Sequence, residues 1–370
     1  MDTSFLAMNR ASGLRTYTLM LLDALQRLPN PDDYVAFYNV FRNCLPIPKL
    51  HGVRNRVWRI PRRFLEYSWT HWGWPYVDWL TGPLDVFHSL HYFVPPQRRG
   101  ASVLTVHDLR EFRFPELYPN WQGKRVHRAT MAQRAHHIIA VSESTKRDAV
   151  EFLQVDPDKI SVVHNGIDPR FLSRPEAPEV DQVLRSQGID FPYFLFVSSQ
   201  DVRKGMLDAL QAYTQAQQCR RSGHKLVVVG LLPPQAQQLL HDSGLGDQVV
   251  LLGLVSDRQL QCLLTGARAL LFLSHYEGFG IPIVEAFASG TPVVCYSSSA
   301  MPEVASDAAA LHHLQDVASV AASMDRLAED EAWREILISR GEARLEHFSW
   351  ERAAHQVRQV YRQAHQLSQG

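Results

Sequence analysis

SHYEGFGIPIVEAFASGTPVV, residues Ser274–Val294, is the stretch that decides how this chain is read. It follows an apolar run, Ala269–Leu273, and it opens a helix. Gly278 and Gly280 let backbone approach a ligand with no Cβ in the way. Amides at the start of a helix point outward and form a site for an anion or an oxygen. Glu277 precedes the helix and Glu285 lies inside it, with seven residues between them. A loop carboxylate accepts hydrogen bonds from one part of a polyhydroxylated ligand, and a helix carboxylate reaches another part, such as a ribose diol. A lone G-x-G marks only a strand–turn–helix joint; the length of the string is what points to a site. The glycines make no dinucleotide fingerprint, because the third glycine is absent and the acids are misplaced.

Working outward, short apolar runs alternate with amphipathic stretches. Leu14–Leu28 spaces its apolar residues helically, and Asn120–His137 reads as a helix between two strands. Val86–Ser89, Ser102–Val106, Ile138–Val141 and Ile160–Val163 read as buried strands. Tyr193–Val197, Leu226–Val229, Val249–Leu252, Ala269–Leu273 and Val293–Cys295 repeat the style. Continuous apolar strands separated by helices imply parallel sheets covered on both faces. Two such sets predict two doubly wound, Rossmann-like α/β domains. The expected domains are 1–172 and 188–346, with residues 170–181 (RFLSRPEAPEVD) as linker. A helix over 349–366, started by Ser349 as N-cap, is expected to pack back on the first domain. The chain opens on a polar segment and a helix where a strand belongs, so the first strand of the N-terminal domain is expected to be missing through truncation or a late start, with Asp2 as its last residue.

Composition narrows the function classes. The 370 residues carry 38 basic and 38 acidic side chains, 45% hydrophobic and 21% charged, as in a soluble globular protein. No net positive field draws nucleic acid. The four cysteines form no C-x-x-C pair, which disfavours zinc knuckles and disulfide scaffolds. No apolar run reaches the roughly 20 residues that span a bilayer, so membrane association is expected to be peripheral. No secretory signal is visible, and the expected location is the cytoplasm or the inner membrane face. The basic residues are 32 Arg against 6 Lys, a bias that base composition explains.

From Glu277 to Val293 the string resembles the signature E-G-F-G-x-P-x-x-E-A-x-A-x-G-T-P-V of the retaining glycosyltransferases of family 4, without a gap. The resemblance implies the GT-B fold, two such domains facing across a cleft, and transfer of a hexose from a nucleoside-diphosphate sugar to a glycan or lipid-linked acceptor in cell-surface polysaccharide synthesis. It implies that Glu277, Gly278, Phe279 and Gly280 hold the donor sugar and that Glu285 binds the ribose. Phe196–Met206 (FVSSQDVRKGM) is similar to the family's strand, loop and R-K pair, so Arg203 and Lys204 are expected to clamp the donor diphosphate. Two cations there stabilise charge that grows as the glycosidic bond breaks. Val255 and Ser256 match the segment along the nucleobase. His107, at the end of Leu104–Leu109 (LTVHDL), is expected to face the reaction centre, with Asp108 beside it as an acceptor-binding candidate. Gly13 fits the loop that faces the diphosphate. Asn165, Gly166 and Asp168 read as architectural.

The implied chemistry needs neither cofactor nor metal, retains anomeric configuration on one face, and takes GDP-mannose or UDP-glucose as donor. Two alternatives stand beside it: a sugar-nucleotide hydrolase or epimerase on the same fold, and an inactive sugar-nucleotide-binding module. Asp156-Pro157-Asp158 reads as a turn, and His136-His137 as a helix end answering the dipole. Residues 54–79 hold five Arg within ten positions and then four Trp within eleven. Aromatic rings stack on sugars and settle at membrane interfaces, and Arg pairs with phosphate. Trp69 and Trp72 are therefore acceptor candidates, and the segment is a candidate for peripheral membrane contact.

Overall fold

Every apolar run marked above is a strand in the computed structural model, which describes residues 1–7, 13–41, 45–48 and 50–369. Contacts gather the chain into two units. One is Met1–Gly166 together with the segment from Ser349 onward, and the other is Ile167–Phe348.

In the first unit, β1 (Tyr34–Asn39) pairs in parallel with β2 (Val53–Trp58). Strands β3 (Val86–Ser89), β4 (Ala101–Val106), β5 (His137–Ala140) and β6 (Ile160–Val162) form a parallel sheet in that order. Residues Met1–Thr3 lie between the two ladders. Phe37 donates its amide to the Met1 carbonyl, Thr3 donates to the Phe37 carbonyl and Asp2 donates to the His88 carbonyl, each at 2.9 Å. The slot expected to lack its strand is thus filled by three residues, with Asp2 at its centre. Leu21, Leu22 and Leu25 of the Gly13–Arg27 helix pack with Ala354, Val357 and Val360 of the Trp350–Leu367 helix over Val103 and Ile139. Leu104, Val106 and Ile138 meet Met131, Ala149 and Leu153 in a second core cluster. Ser349 accepts from the Arg352 amide and caps the last helix. A Cβ on Gly166 would stand 2.4 Å from the Trp350 nitrogen, so the N-G turn is architectural because Trp350 leaves no room there.

In the second unit, β7 (Tyr193–Ser198), β8 (Lys225–Gly230), β9 (Val249–Gly253), β10 (Ala269–Phe272), β11 (Val293–Tyr296) and β12 (Ala309–His312) make one parallel sheet. Its order is β9-β8-β7-β10-β11-β12. This is the doubly wound order, and the chain reverses direction between β7 and β10. Phe194, Phe196, Val228 and Leu271 bury against Met206, Leu210, Tyr213 and Leu327.

Two local expectations are corrected. Residues 170–181 do not run as a plain linker: Asp168 accepts from the Arg170 amide and caps the helix Pro169–Leu172, and a second helix, Ala177–Ser186, starts with proline in its first turn. Arg174 ties the stretch down by donating to the Ala288 carbonyl and pairing with Glu342, both at 2.7 Å. The helix before β5 ends at Arg134, so His136 and His137 do not answer its dipole. His136 Nδ1 instead accepts from the Ser102 amide at 3.0 Å, and His137 is the first residue of β5. Asp156 accepts from the Asp158 amide at 2.9 Å, which is the turn the sequence suggested.

Candidate active site

Ligands bind open α/β sheets at the carboxyl ends of strands beside a topological switch point. In the second unit that point lies between β7 and β10, and the residues picked from the sequence follow those two strands. After β7, Asp201 caps a turn by accepting from the Arg203 amide, and the turn Val202–Lys204 carries both cations. Gly205 closes it at φ 76°, and a Cβ there would lie 2.0 Å from the Leu273 carbonyl oxygen. Only glycine lets this turn rest on the end of β10.

Hydrogen bonds join the two loops. The His275 amide donates to the Arg203 carbonyl at 2.8 Å. The Arg203 guanidinium donates to the Tyr276 carbonyl. Lys204 Nζ donates to Glu277 Oε1 at 2.5 Å. The side chain of Arg203 is only 3% exposed, with Nη2 3.1 Å from Asp201 and Nη1 3.6 Å from Glu277. Lys204 is the more accessible cation, its side chain 26% exposed. Burial alone would raise the Glu277 carboxyl, but the charges of Lys204 and Arg203, with hydrogen bonds from Lys204 and Ser274, hold it below the ordinary glutamate value. Glu277 is therefore ionised at neutral pH.

Gly280, at φ 104°, is the N-cap of the helix Ile281–Ala288. The Phe279 ring is buried edge-on to Phe348 at 5.7 Å, so Phe279 offers the site backbone and not a side chain. Glu285, on the helix, behaves oppositely to Glu277. Burial, then the charges of Asp168 and Asp257, push it up to about 7, against the pull of Arg170. One carboxylate is held charged by two cations and the other is balanced between its two forms near neutrality. Perturbed pairs of this kind mark functional sites.

Sequence reading missed the supports beneath these groups. Ser274 donates to Glu277 Oε1 at 2.6 Å, and Ser299 accepts from the Glu277 amide at 2.8 Å. Asp208 bonds His275 Nε2 at 2.7 Å and accepts from the Tyr296 hydroxyl at 2.9 Å, which fixes the β10 loop from below. Ser274 lies inside the quoted string and was the findable one; Ser299 and Asp208 carry no local spacing signal. Ser256, expected along a nucleobase, caps the helix Asp257–Gly266 in a capping box with Gln259, and Val255 precedes it in the same loop.

The remaining predicted residues belong to the first unit. His107 follows β4, with its ring edge-on to Tyr17 at 4.7 Å. Burial, aided by His91, pushes its pKa down to about 4, against Asp108 and a hydrogen bond to the Leu90 backbone, so it is neutral at pH 7. Its buried Nε2 has no hydrogen-bond partner among the described residues. Asp108 accepts the Tyr92 hydroxyl on its backbone carbonyl at 2.7 Å. Gly13 is the first residue of its helix, with open space where a Cβ would stand; Ala11 and Ser12 of the same predicted loop lie outside the described residues. The structure separates Trp69 from Trp72: Trp69 is buried, donating to the Pro75 carbonyl at 2.6 Å, while Trp72 is 61% exposed. Trp69 borders a small pocket of about 50 Å³ whose other walls include Asp2, Asn39, Arg62, Glu66 and His91.

Comparison with known proteins gives the family and the fold. Residues 11–171 match the model described as Glycosyltransferase Family 4, and residues 182–344 match that of Glycosyl transferases group 1. O-antigen chain mannosyltransferase B of Escherichia coli is 28% identical over 75% of this chain and 74% of its own. O-antigen chain mannosyltransferase RfbU of Salmonella typhimurium is 25% identical over 80% of this chain and 82% of its own. Among solved structures, sucrose-phosphate synthase from Thermosynechococcus elongatus superposes with a TM-score of 0.73 at 21% identity, covering 95% of this chain and 94% of that one. HepE of Anabaena in complex with UDP-glucose gives a TM-score of 0.73 at 16% identity, over 96% and 97% of the two chains. These two likenesses place the fold as GT-B.

Proposed function

Since the chain belongs to the family 4, group 1 glycosyltransferases, we propose that it moves a hexose from a nucleoside-diphosphate sugar to a glycan or lipid-linked acceptor in cell-surface polysaccharide synthesis, retaining anomeric configuration and using no metal. The carrying observation is the Lys204–Glu277 pair, set at the switch point of the second unit's sheet with Arg203 beneath it. The relatives named as mannosyltransferases favour GDP-mannose as donor over UDP-glucose.

In this reading Lys204 and Arg203 meet the charge that develops on the leaving diphosphate, the role a divalent cation plays in other transferases. Glu277 and the backbone of Gly278, Phe279 and Gly280 hold the sugar hydroxyls. Glu285 accepts from the ribose diol, and the loop of Val255 and Ser256 runs along the base. The bond between the anomeric carbon and the diphosphate oxygen breaks while the acceptor oxygen bonds to the same face, and the acceptor proton passes to the leaving phosphate. On the first unit His107, neutral and with Nε2 unpartnered among the described residues, is the group left to meet sugar hydroxyls. In this reading the first unit holds the acceptor, and the small pocket beside Trp69, lined by Asn39, Glu66 and His91, marks one polar and aromatic place on it. The reaction belongs on the cytoplasmic face of a membrane. Among the described residues, no helix is long and apolar enough to cross one.

The test is a donor panel read by release of free nucleotide, with and without mixed glycan acceptors. One donor should turn over, faster with acceptor. Equal turnover without acceptor marks a hydrolase, and donor binding with no turnover marks a binding module. Unchanged turnover in Lys204→Ala removes that residue from its role.

A further inference from the structure

The first unit carries a surface, outside the pocket beside Trp69, that the transfer chemistry does not use. Among the described residues strand β2 has one ladder partner, β1, and five of its six residues are exposed. Arg54, Arg56, Arg59, Arg62 and Arg63 all stand in solvent. The helix Arg62–His71 buries Leu65, Ser68 and Trp69 and turns Phe64 and Tyr67 outward. Trp72, Trp74 and Trp79 continue that exposure through the next turn and helix. These five aromatic side chains are between 48% and 61% exposed.

Single exposed rings are ordinary, but contiguous ones mark an interaction surface. Here the rings cluster on one another at the surface. Trp72 meets Phe64 at 6.3 Å and Tyr67 at 5.6 Å, and Tyr67 stacks on His71 at 4.1 Å. Trp79 meets Trp74 at 6.1 Å and Tyr76 at 5.5 Å.

Charge identifies the partner. Residues 54–79 hold five arginines against two acids, in a chain whose net charge is zero. One of the acids, Glu66, is already paired with Arg62 at 2.6 Å. The surplus is positive, planar and suited to phosphate, and it is interleaved with tryptophan and tyrosine, which settle at the level of lipid headgroups. A sugar ligand calls for hydrogen-bond acceptors beside its stacking rings, but of the two carboxylates in the segment Glu66 is paired with Arg62 and Asp78 accepts from the Arg98 amide; Asp32, Asp33 and Asp85 gather at the edge, beside Arg54.

We propose that the surface formed by residues 54–79 docks the protein on a bilayer bearing anionic phospholipid, the arginines meeting headgroup phosphates and Phe64, Tyr67, Trp72, Trp74 and Trp79 entering the interface. This goes beyond the donor chemistry and stands whether or not that chemistry is right.

Vesicle co-sedimentation of the full chain tests it. Vesicles of phosphatidylcholine with added phosphatidylglycerol should sediment the protein at low salt, with a blue shift in tryptophan emission, and high salt should release it. Phosphatidylcholine alone should bind at least about tenfold more weakly, since each arginine near an anionic surface contributes roughly fivefold. Phe64→Ser with Trp74→Ser, and separately Arg59→Gln with Arg63→Gln, should each weaken binding about tenfold or more while the unfolding midpoint stays put. The arginine pair keeps the test valid if the aromatic pair fails to fold. The proposal is overturned by wild-type protein that stays in the supernatant, by equal binding to neutral vesicles, or by variants that bind like wild type. Self-association abolished by the aromatic pair, with no vesicle binding, also overturns it and assigns the surface to a second copy of the chain.

Discussion

Glu285 makes donor affinity depend on pH near neutrality, and the sign follows from the structure. Burial and the neighbouring Asp168 and Asp257 raise its pKa to about 7. Two ribose hydroxyls donate to a carboxylate but find one acceptor fewer on a carboxylic acid. The ionised fraction is about a tenth at pH 6 and about nine tenths at pH 8. Affinity for the sugar nucleotide should therefore fall about tenfold as pH drops from 8 to 6. The diphosphate diester of a sugar nucleotide has no proton to gain in that range, and His107, held at about 4, stays neutral throughout. Isothermal titration of the donor across this range, on wild type and Glu285→Gln, reads the effect. Wild type should follow the curve, and Glu285→Gln should bind weakly and flatly. A raised carboxyl pKa also means stability that is full below the ordinary value of about 4.5 and lost as pH rises through about 7. Glu285→Gln should therefore unfold later than wild type at pH 8, by on the order of 1–3 kcal/mol. A flat wild-type profile, or the same slope in both proteins, refutes the reasoning.

Other consequences are direct. Lys204→Ala should lower donor turnover roughly 30- to 1000-fold, about 2–4 kcal/mol of barrier, and should also lower the unfolding midpoint, because it takes from the buried Glu277 its nearest cation. Ser274→Ala takes one hydrogen bond from Glu277 and should cost about fivefold in kcat/KM, or about 1 kcal/mol; a loss as large as that of Lys204→Ala would give Ser274 a different role. Gly205→Ala forces a Cβ against the Leu273 carbonyl at positive φ, so urea unfolding should show a loss of about 2–4 kcal/mol. A wild-type midpoint in that variant would mean that the turn does not rest on β10.

Much of this architecture was legible because parallel strands buried on both faces appear as unbroken apolar runs. The same rule points to YVAFYN, Tyr34–Asn39, whose six residues are all buried, yet that run was not picked out. Its partner β2 was hidden for a physical reason: it lies at an edge, exposed, and its arginines read as a charge run. The signature string located Glu277 and Glu285 because both lie on one continuous strand–loop–helix. The supports came from distant chain, Asp208 from the helix after β7 and Ser299 from the loop after β11, and only the sheet brings them together. Residues 170–181 misled because two prolines suggested a linker, whereas Pro178 sits in the first turn of a helix, where its missing N–H costs nothing.

A crystal structure of the complex with the nucleoside-diphosphate sugar that turns over in the donor panel tests the central claim most directly. It should show Lys204 Nζ on a phosphate oxygen, Glu277 on sugar hydroxyls and both ribose hydroxyls on Glu285. A sugar nucleotide bound elsewhere, with the Lys204–Glu277 bond unbroken and the β7 and β10 loops untouched, would contradict it.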